Sequence, residues 1–348
     1  MSDIDTDAPA SGEEAAPARR KPHPALMGVG MSLGLGVILV LLLMVFIMPS
    51  LESGPHDLRV GLVGAPDAVA GFEQALDNAV PGAYEAQRFD SEDDLRAAIV
   101  DRDVVGGFVV GDSTVNTLVA SAGSATISGS LTGTAQAVGR ALGDEVTVED
   151  VVPLPADDPT GIGIGGLAFP LVFGGIVPVV AFRKVFERNN VAYFTSLVGF
   201  SILGGIVVSS VLTFVFGSIE GALWPVAGAM ALGIGAMALP LAGLQNMFGA
   251  KGFTLGAMVM MFLGNPLAGI ASTSAWLPNG LGTFGQILPP GSTGTLVRAV
   301  AYFDGAGGAG AATILTAWIV VGVVLFVLGA RRSAAAAPEA EKEPALTH

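Results

Sequence analysis

The chain lacks cysteine, has three histidines, and carries charge on only 13% of its 348 residues. The first absence excludes disulfides, thiol nucleophiles and cysteine-ligated metals. The second leaves His23, His56 and His348 far apart in sequence, so no metal or cofactor site is expected. The third is about half the charge of a soluble domain, which is about 25%. With 51% hydrophobic residues and a mean hydropathy of +0.66, it points to a membrane protein. No G-x-x-x-x-G-K-[ST] phosphate loop and no H-E-x-x-H metal motif occur, so an ATPase or a metalloprotease within this chain is not expected.

What is present is a series of six apolar runs, each near the ~20 residues that cross a bilayer. They are Leu26–Met48, Ile162–Phe182, Val191–Phe216, Ala222–Leu244, Gly252–Ser274 and Ala311–Ala330. None contains Asp, Glu, Lys, Arg or His. Proton relays, ion-coupled antiporters and voltage sensors work through intramembrane charge, so these classes are disfavoured. One run stands alone and five follow a long acidic segment. The expected fold class is an α-helical polytopic membrane protein with six transmembrane helices and a small α/β extracytoplasmic domain between the first and second.

Basic residues next to the runs set the orientation. Arg19, Arg20 and Lys21 precede the first run. Arg183, Lys184 and Arg188 separate the second from the third, Lys251 the fourth from the fifth, and Arg331 and Arg332 follow the sixth. Alternate loops are therefore basic, with Arg298 the exception. This predicts a multi-pass protein of the plasma (inner) membrane with both termini cytosolic. The run at 26–48 exceeds the ~7–15 residues of a signal-peptide core and reads as an uncleaved anchor. Residues 1–25 and 331–348 are rich in Ala, Pro and Glu and are expected to be disordered.

From Leu51 to Thr160, 19 acids stand against five arginines, a net −14 equal to that of the whole chain. An acidic surface is a solvated one and disfavours nucleic acid. Within 51–160, LRVGLV (Leu58 to Val63), Tyr84 to Phe89, Val104 to Val110, Thr114 to Ala120 and Val146 to Val152 read as strands. Asp67 to Val80, the segment after the Ser91 cap, and Leu131 to Leu142 read as helices. Their alternation predicts βαβ units and a small, mostly parallel sheet. The run Gly161-Ile162-Gly163-Ile164-Gly165-Gly166 has dinucleotide-loop spacing but opens a membrane helix, so close helix packing is expected there.

The second domain spans 162–330. Inside it, 275–310 is too apolar for a free loop and too interrupted to cross. Trp276, Pro278 and Asn279 form a turn, Pro289-Pro290-Gly291 breaks the chain again, and Thr293 to Phe303 reads as an amphipathic helix with Arg298 on its polar side. A re-entrant or interfacial hairpin on the outer face is expected.

The order of anchor, outer domain, five spans and a Pro/Gly-rich outer hairpin before the last span resembles the ATP-binding-cassette type-2 permeases and the phage-infection-protein-like membrane proteins. The Leu58 to Gly64 run, the Asp90 to Val100 helix and Val105-Gly106-Gly107-Phe108-Val109-Val110 carry the same resemblance. It covers nearly all of Leu26 to Arg332. It implies a permease that pairs as a homodimer or a heterodimer with a similar permease, works in the lipid bilayer, binds no nucleic acid, and is driven by a separate cytosolic ATPase. It also implies that the loop holding Arg183, Lys184, Phe186, Glu187 and Arg188 receives the ATPase's push. Charge-free spans suit an amphiphilic or lipid-like substrate. The alternative is a non-transporting envelope scaffold or receptor whose outer domain binds a partner. Enzyme chemistry has only Glu220 and Asp304 to draw on, both read as solvated turn residues, and no catalytic residue is nominated.

Overall fold

The computed structural model describes residues 24–51, 54–278 and 280–340. The chain divides into two units, 1–44 and 45–348. Most of helix α1 (Pro24–Leu51) belongs to the first. Its 28 residues are ~42 Å long at 1.5 Å each, more than the ~30 Å of a hydrocarbon core. Its apolar side chains are exposed, Met31 and Leu33 by 67%, which suits a helix solvated by lipid rather than water.

In the second unit, residues 58–150 form a five-stranded sheet. The elements are β1 (Leu58–Gly64), α2 (Pro66–Ala79), β2 (Tyr84–Arg88), α3 (Glu92–Val100), β3 (Gly106–Val110), β4 (Thr114–Val119), α4 (Ala125–Leu142) and β5 (Glu145–Asp150). The strand order is β2-β1-β3-β4-β5. Only the β3–β4 pair is antiparallel, which is the mostly parallel sheet the alternation predicts. Ser91 accepts the Asp94 amide as the α3 cap, and Glu92, Asp93 and Asp94 sit where the helix dipole favours acids. Helix α4 starts at Ala125, ahead of the predicted Leu131, because Ser124 caps it by accepting the Ile127 amide.

The two faces of the sheet have separate cores. Phe72 and Leu76 of α2 and Leu131 and Val138 of α4 cover one, with Phe72 and Phe108 5.1 Å apart between ring centres. Leu95 and Ile99 of α3 cover the other. Leu95 lies against Gly61 and Gly107, which leave room for it directly over the central strands. Each fully buried side chain of this size contributes about 1.5–3 kcal/mol.

Past a short turn of helix, α5 (Ile162–Gly165), come α6 (Ala168–Val185), α7 (Asn190–Phe214), α8 (Leu223–Val259), a π-helical turn at Met260–Gly264 and the single turn α9 (Asn265–Leu267). A 3₁₀ turn (Ser274–Trp276), α10 (Leu281–Ile287), α11 (Pro289–Tyr302) and α12 (Ala309–Ala340) complete the chain. Among the described residues, four helices are long and apolar enough to cross a membrane: Ile162–Val185, Asn190–Phe214, Leu223–Leu267 and Ala309–Arg332. The sequence predicts six spans. The first predicted span falls on α1, of which Gly28–Leu41 counts as a shorter apolar helix. The predicted fourth and fifth run together in the 45 residues of Leu223–Leu267.

That run is not straight. Gly249, at φ 66° and ψ −153°, breaks α8, a conformation open to glycine. Beyond the break the chain doubles back. A Cβ on Gly256 would lie 2.7 Å from Leu244 Cδ1 and 2.8 Å from Leu241 Cδ2, contacts that a continuous helix cannot make. The returning arm ends at Leu267 rather than the predicted Ser274. Pro266 has no amide to donate and crowds the carbonyl one turn back, which accounts for the π turn before it, and Gly269 at φ 63° turns the chain away.

Small residues draw these helices together. A Cβ on Gly322 of α12 would lie 2.5 Å from Pro240 N, one on Gly243 2.7 Å from Gly322 O, and one on Gly329 2.6 Å from Asn246 C. Helix α12 thus runs parallel to the first arm of α8 along a glycine seam. It continues past Arg332 to Ala340, through part of the segment expected to be a disordered tail.

Candidate functional site

Following the chain through these contacts defines two ends of the bundle. Helix α6 leaves the sheet and ends at residues 186–189. Helix α7 returns to Ser218, whose carbonyl accepts the Tyr302 hydroxyl at 2.7 Å. The first arm of α8 runs away again to Gly249, beside Gly329 of α12. Arg183, Lys184, Arg188, Lys251, Arg331 and Arg332 therefore gather at the end away from the sheet.

The predicted coupling loop sits at that end. Arg183 and Lys184 close the last turn of α6, where cations complement the helix dipole. Arg183 is half-buried. Its Nη1 donates to Asn190 Oδ1 at 3.0 Å and its guanidinium lies 5.5 Å from the centre of the Tyr193 ring. Phe186 turns inward against Phe182, 6.5 Å between ring centres. Asn189 caps α7 by accepting the Ala192 amide at 2.9 Å. Lys184, Glu187 and Arg188 are left exposed. Two of the five nominated residues thus brace the turn, and three face outward.

The predicted hairpin sits at the sheet end and is two helices, α10 and α11. Pro289 and Pro290 open α11, where a missing amide costs nothing. Both are buried, Pro290 lies 3.0 Å from a Cβ position on Gly264, and Thr293 fills the space over Gly233. The fit of α10 depends on the absence of side chains at Gly282 and Gly285, which lie on the Ser274 and Leu267 carbonyls. Gln286 ties the parts together. Its Nε2 donates to the Ala268 carbonyl at 3.1 Å and its Oε1 accepts the Thr295 hydroxyl at 2.6 Å. Trp318 of α12 donates to the Ile287 carbonyl at 2.8 Å. Pro278 accepts the Leu281 amide at 3.0 Å; Asn279 lies outside the described residues.

The hairpin also completes the sheet's cores. Trp276 and Ala275 pack against the α2/α4 side. Phe303, 4% exposed, is part of the α3 side. Arg298 is not on a solvated face as its amphipathic pattern predicts. Its Nη2 donates to the Ile270 carbonyl at 2.8 Å. Facing it across the junction is Arg102, in the sequence one of the five arginines of the acidic segment. Arg102 sits at φ 63°, just past α3, with its guanidinium 5.1 Å from the Phe303 ring centre. Burial pushes that guanidinium below its ordinary value. The only sequence signal was an arginine at a helix end, between Asp101 and Asp103, which reads as an ordinary solvated turn. Glu220 and Asp304 are exposed, as expected. Among the described residues no cluster of potential metal ligands occurs.

Compared with known proteins, the chain matches no family model, no curated protein and no solved structure.

Proposed function

We propose that this chain is the membrane-spanning permease subunit of an exporter of the ATP-binding-cassette type-2 kind, moving an amphiphilic or lipid-like molecule. The observation that carries the reading is the hairpin α10–α11, a broken pair of helices of which α11 is buried among the long apolar helices and α10 keeps one face exposed, with the sheet domain packed over them. Irregular backbone at such a depth is tolerated where protein surrounds it or a cavity is lined by it. The break at Gly249 favours counting Leu223–Leu267 as two crossings, which with α1 makes six. Bases at one end of the bundle favour that end as cytosolic and the sheet as extracytoplasmic, in the inner membrane. The partners are a separate cytosolic ATPase and a second permease copy or homologue.

The test is affinity purification from native membranes in mild detergent, with mass spectrometry of what accompanies the chain. Lys184→Glu with Arg188→Glu is the informative variant, because both side chains are exposed and neither braces the turn. A stoichiometric ATPase that the variant loses supports the permease. Its absence from the wild type sinks it.

One observation favours a second reading, an envelope scaffold or receptor. The loop at 186–189 is only a turn, and Arg183 and Phe186 are committed to packing. On that reading an envelope partner accompanies the wild type and the double variant alike.

A further inference from the structure

Between the sheet domain and the hairpin lies a cavity of about 210 Å³, with Arg102 and Ser124 on the sheet side and Thr273, Gln286, Thr295 and Arg298 on the other. Both charged residues of its lining are arginines, and no carboxylate lines it. The ion pairs among the described residues join Arg88 to Glu73 and Arg96 to Glu92 and Glu149; neither cavity arginine takes part. Arg102 Nη1 is buried without a hydrogen-bond partner among the described residues. Guanidinium does not lose its proton in proteins. The cavity therefore holds two like charges on its lining, in a chain whose net charge is −14. Both arginines are half-buried, and a charge partly withdrawn from water without a counter-charge is costly; Arg102 adds to it a left-handed backbone that only a few per cent of non-glycine residues adopt.

We propose that this cavity is a binding site for a phosphate-type oxyanion, held by Arg102 and Arg298. A guanidinium presents its donors as a fork that matches oxyanion geometry. Two forks from the two sides of the cavity, with the Thr273 hydroxyl, which accepts the Ala275 amide and keeps its own proton to donate, suit a tetrahedral group with several acceptor oxygens better than a planar carboxylate. The volume excludes a whole lipid and admits a phosphate with the first atoms of whatever bears it. Two sources share this chemistry, a phospholipid headgroup and free phosphate. The lipid source deepens the permease reading by giving the amphiphile an anionic head, and rests on that reading. The site itself does not.

The experiment is titration calorimetry on the full chain in lipid-free maltoside detergent, with dioctanoyl-phosphatidylglycerol and inorganic phosphate as separate probes. Saturable binding of the lipid alone identifies a headgroup, and equal binding of phosphate identifies the free anion. Arg102→Gln and Arg298→Gln are each expected to weaken binding about tenfold or more. Arg102→Lys and Arg298→Lys, which keep charge and lose the fork, fall between. Where a variant does not fold, phenylglyoxal labelling of the wild type replaces it, and bound probe is expected to protect Arg102 and Arg298. The proposal is overturned if neither probe binds the wild type, if folded glutamine variants bind as it does, or if labelling is unaffected by probe. No ATPase is present in this assay. A failed titration leaves the permease standing, and a missing ATPase leaves the site standing.

Discussion

The two ends of the helix bundle are built on different plans. Away from the sheet, helices are joined by a turn at 186–189 and a glycine break at 249, and Arg183, Asn189 and Asn190 there are hydrogen-bonded within the turn. At the sheet end, the returning arm of α8 and α12 are separated by two short helices, and a whole domain rests on them. Unpartnered buried polar atoms follow the same division. Among the described residues, Arg102 Nη1, Ser218 Oγ, Asn265 Oδ1 and Trp276 Nε1 lie toward the sheet end and Thr117 Oγ1 and Ser128 Oγ within the sheet domain, against Asn246 Nδ2 at the other end. Native proteins leave few such groups, and each calls for an explanation. The simple end leaves one such atom, on Asn246. The elaborate end carries polar groups that folding does not need, which is where a ligand or a moving part is expected.

The largest effect that sharpens this contrast is at Phe303. Phe303→Ala empties a buried site shared by hairpin and sheet, and is expected to cost about 3–5 kcal/mol. Hydrogen exchange is expected to rise in α3 and β3 and to stay unchanged in α6 and α7. Uniform loss of protection would mean that the two ends are one cooperative unit. Next is the glycine seam. Gly322→Leu overpacks the contact with Pro240 and is expected to cost about 1–3 kcal/mol, read as a lower unfolding temperature in detergent with α3 protection intact.

Capping gives a matched pair. Asp158, 7% exposed, accepts the Ile162 and Gly163 amides at 2.8 Å each at the sheet end. Asn189 does the same for one amide at the other end. Asp158→Ala is expected to cost up to about 2 kcal/mol and Asn189→Ala about 1 kcal/mol, by thermal unfolding of each single variant. Equal costs would erase the distinction.

The smallest effect is a pH dependence on the domain's surface. Hydrogen bonding to Arg96 holds the Glu149 carboxyl below its ordinary value. A depressed carboxylate stabilises the fold above the unfolded value, about 4.3, and loses that contribution as pH falls through the folded one. Glu149→Gln is expected to remove a slight acid sensitivity of the α3–β5 contact, seen as a flatter unfolding midpoint between about pH 5 and 3.

Much of the sheet was legible in the chain. Its strands alternate with helices whose caps and apolar spacing are local signals, and Ser91 lies where capping chemistry puts it. The hairpin was legible from Trp276, Pro278 and Pro289-Pro290-Gly291, because breakers within an apolar stretch have few other uses. The fold-back at Gly249 was hidden only in its geometry; Lys251 already marked a turn. Arg102 and Arg298 were not legible as a pair. They lie nearly two hundred residues apart, and one reads as a loop charge and the other as the wet side of a helix. Only packing Phe303 into the sheet brings them to one cavity. The inward turn of Arg183 and Phe186 was hidden for the same reason, since composition does not reveal which face of a turn a side chain takes.

The sheet domain borrows Trp276 and Phe303 from a part of the chain made long after its own last strand. At ribosomal speeds the interval is on the order of ten seconds. Until the later helices have been inserted, the domain stands with the α3 face of Leu95 and Ile99 partly uncovered. It can reach its final compactness only after the membrane part is assembled, so its protection from proteolysis is a clock for assembly. A chain truncated before residue 275 should carry a sheet that folds yet remains open to digestion at α3.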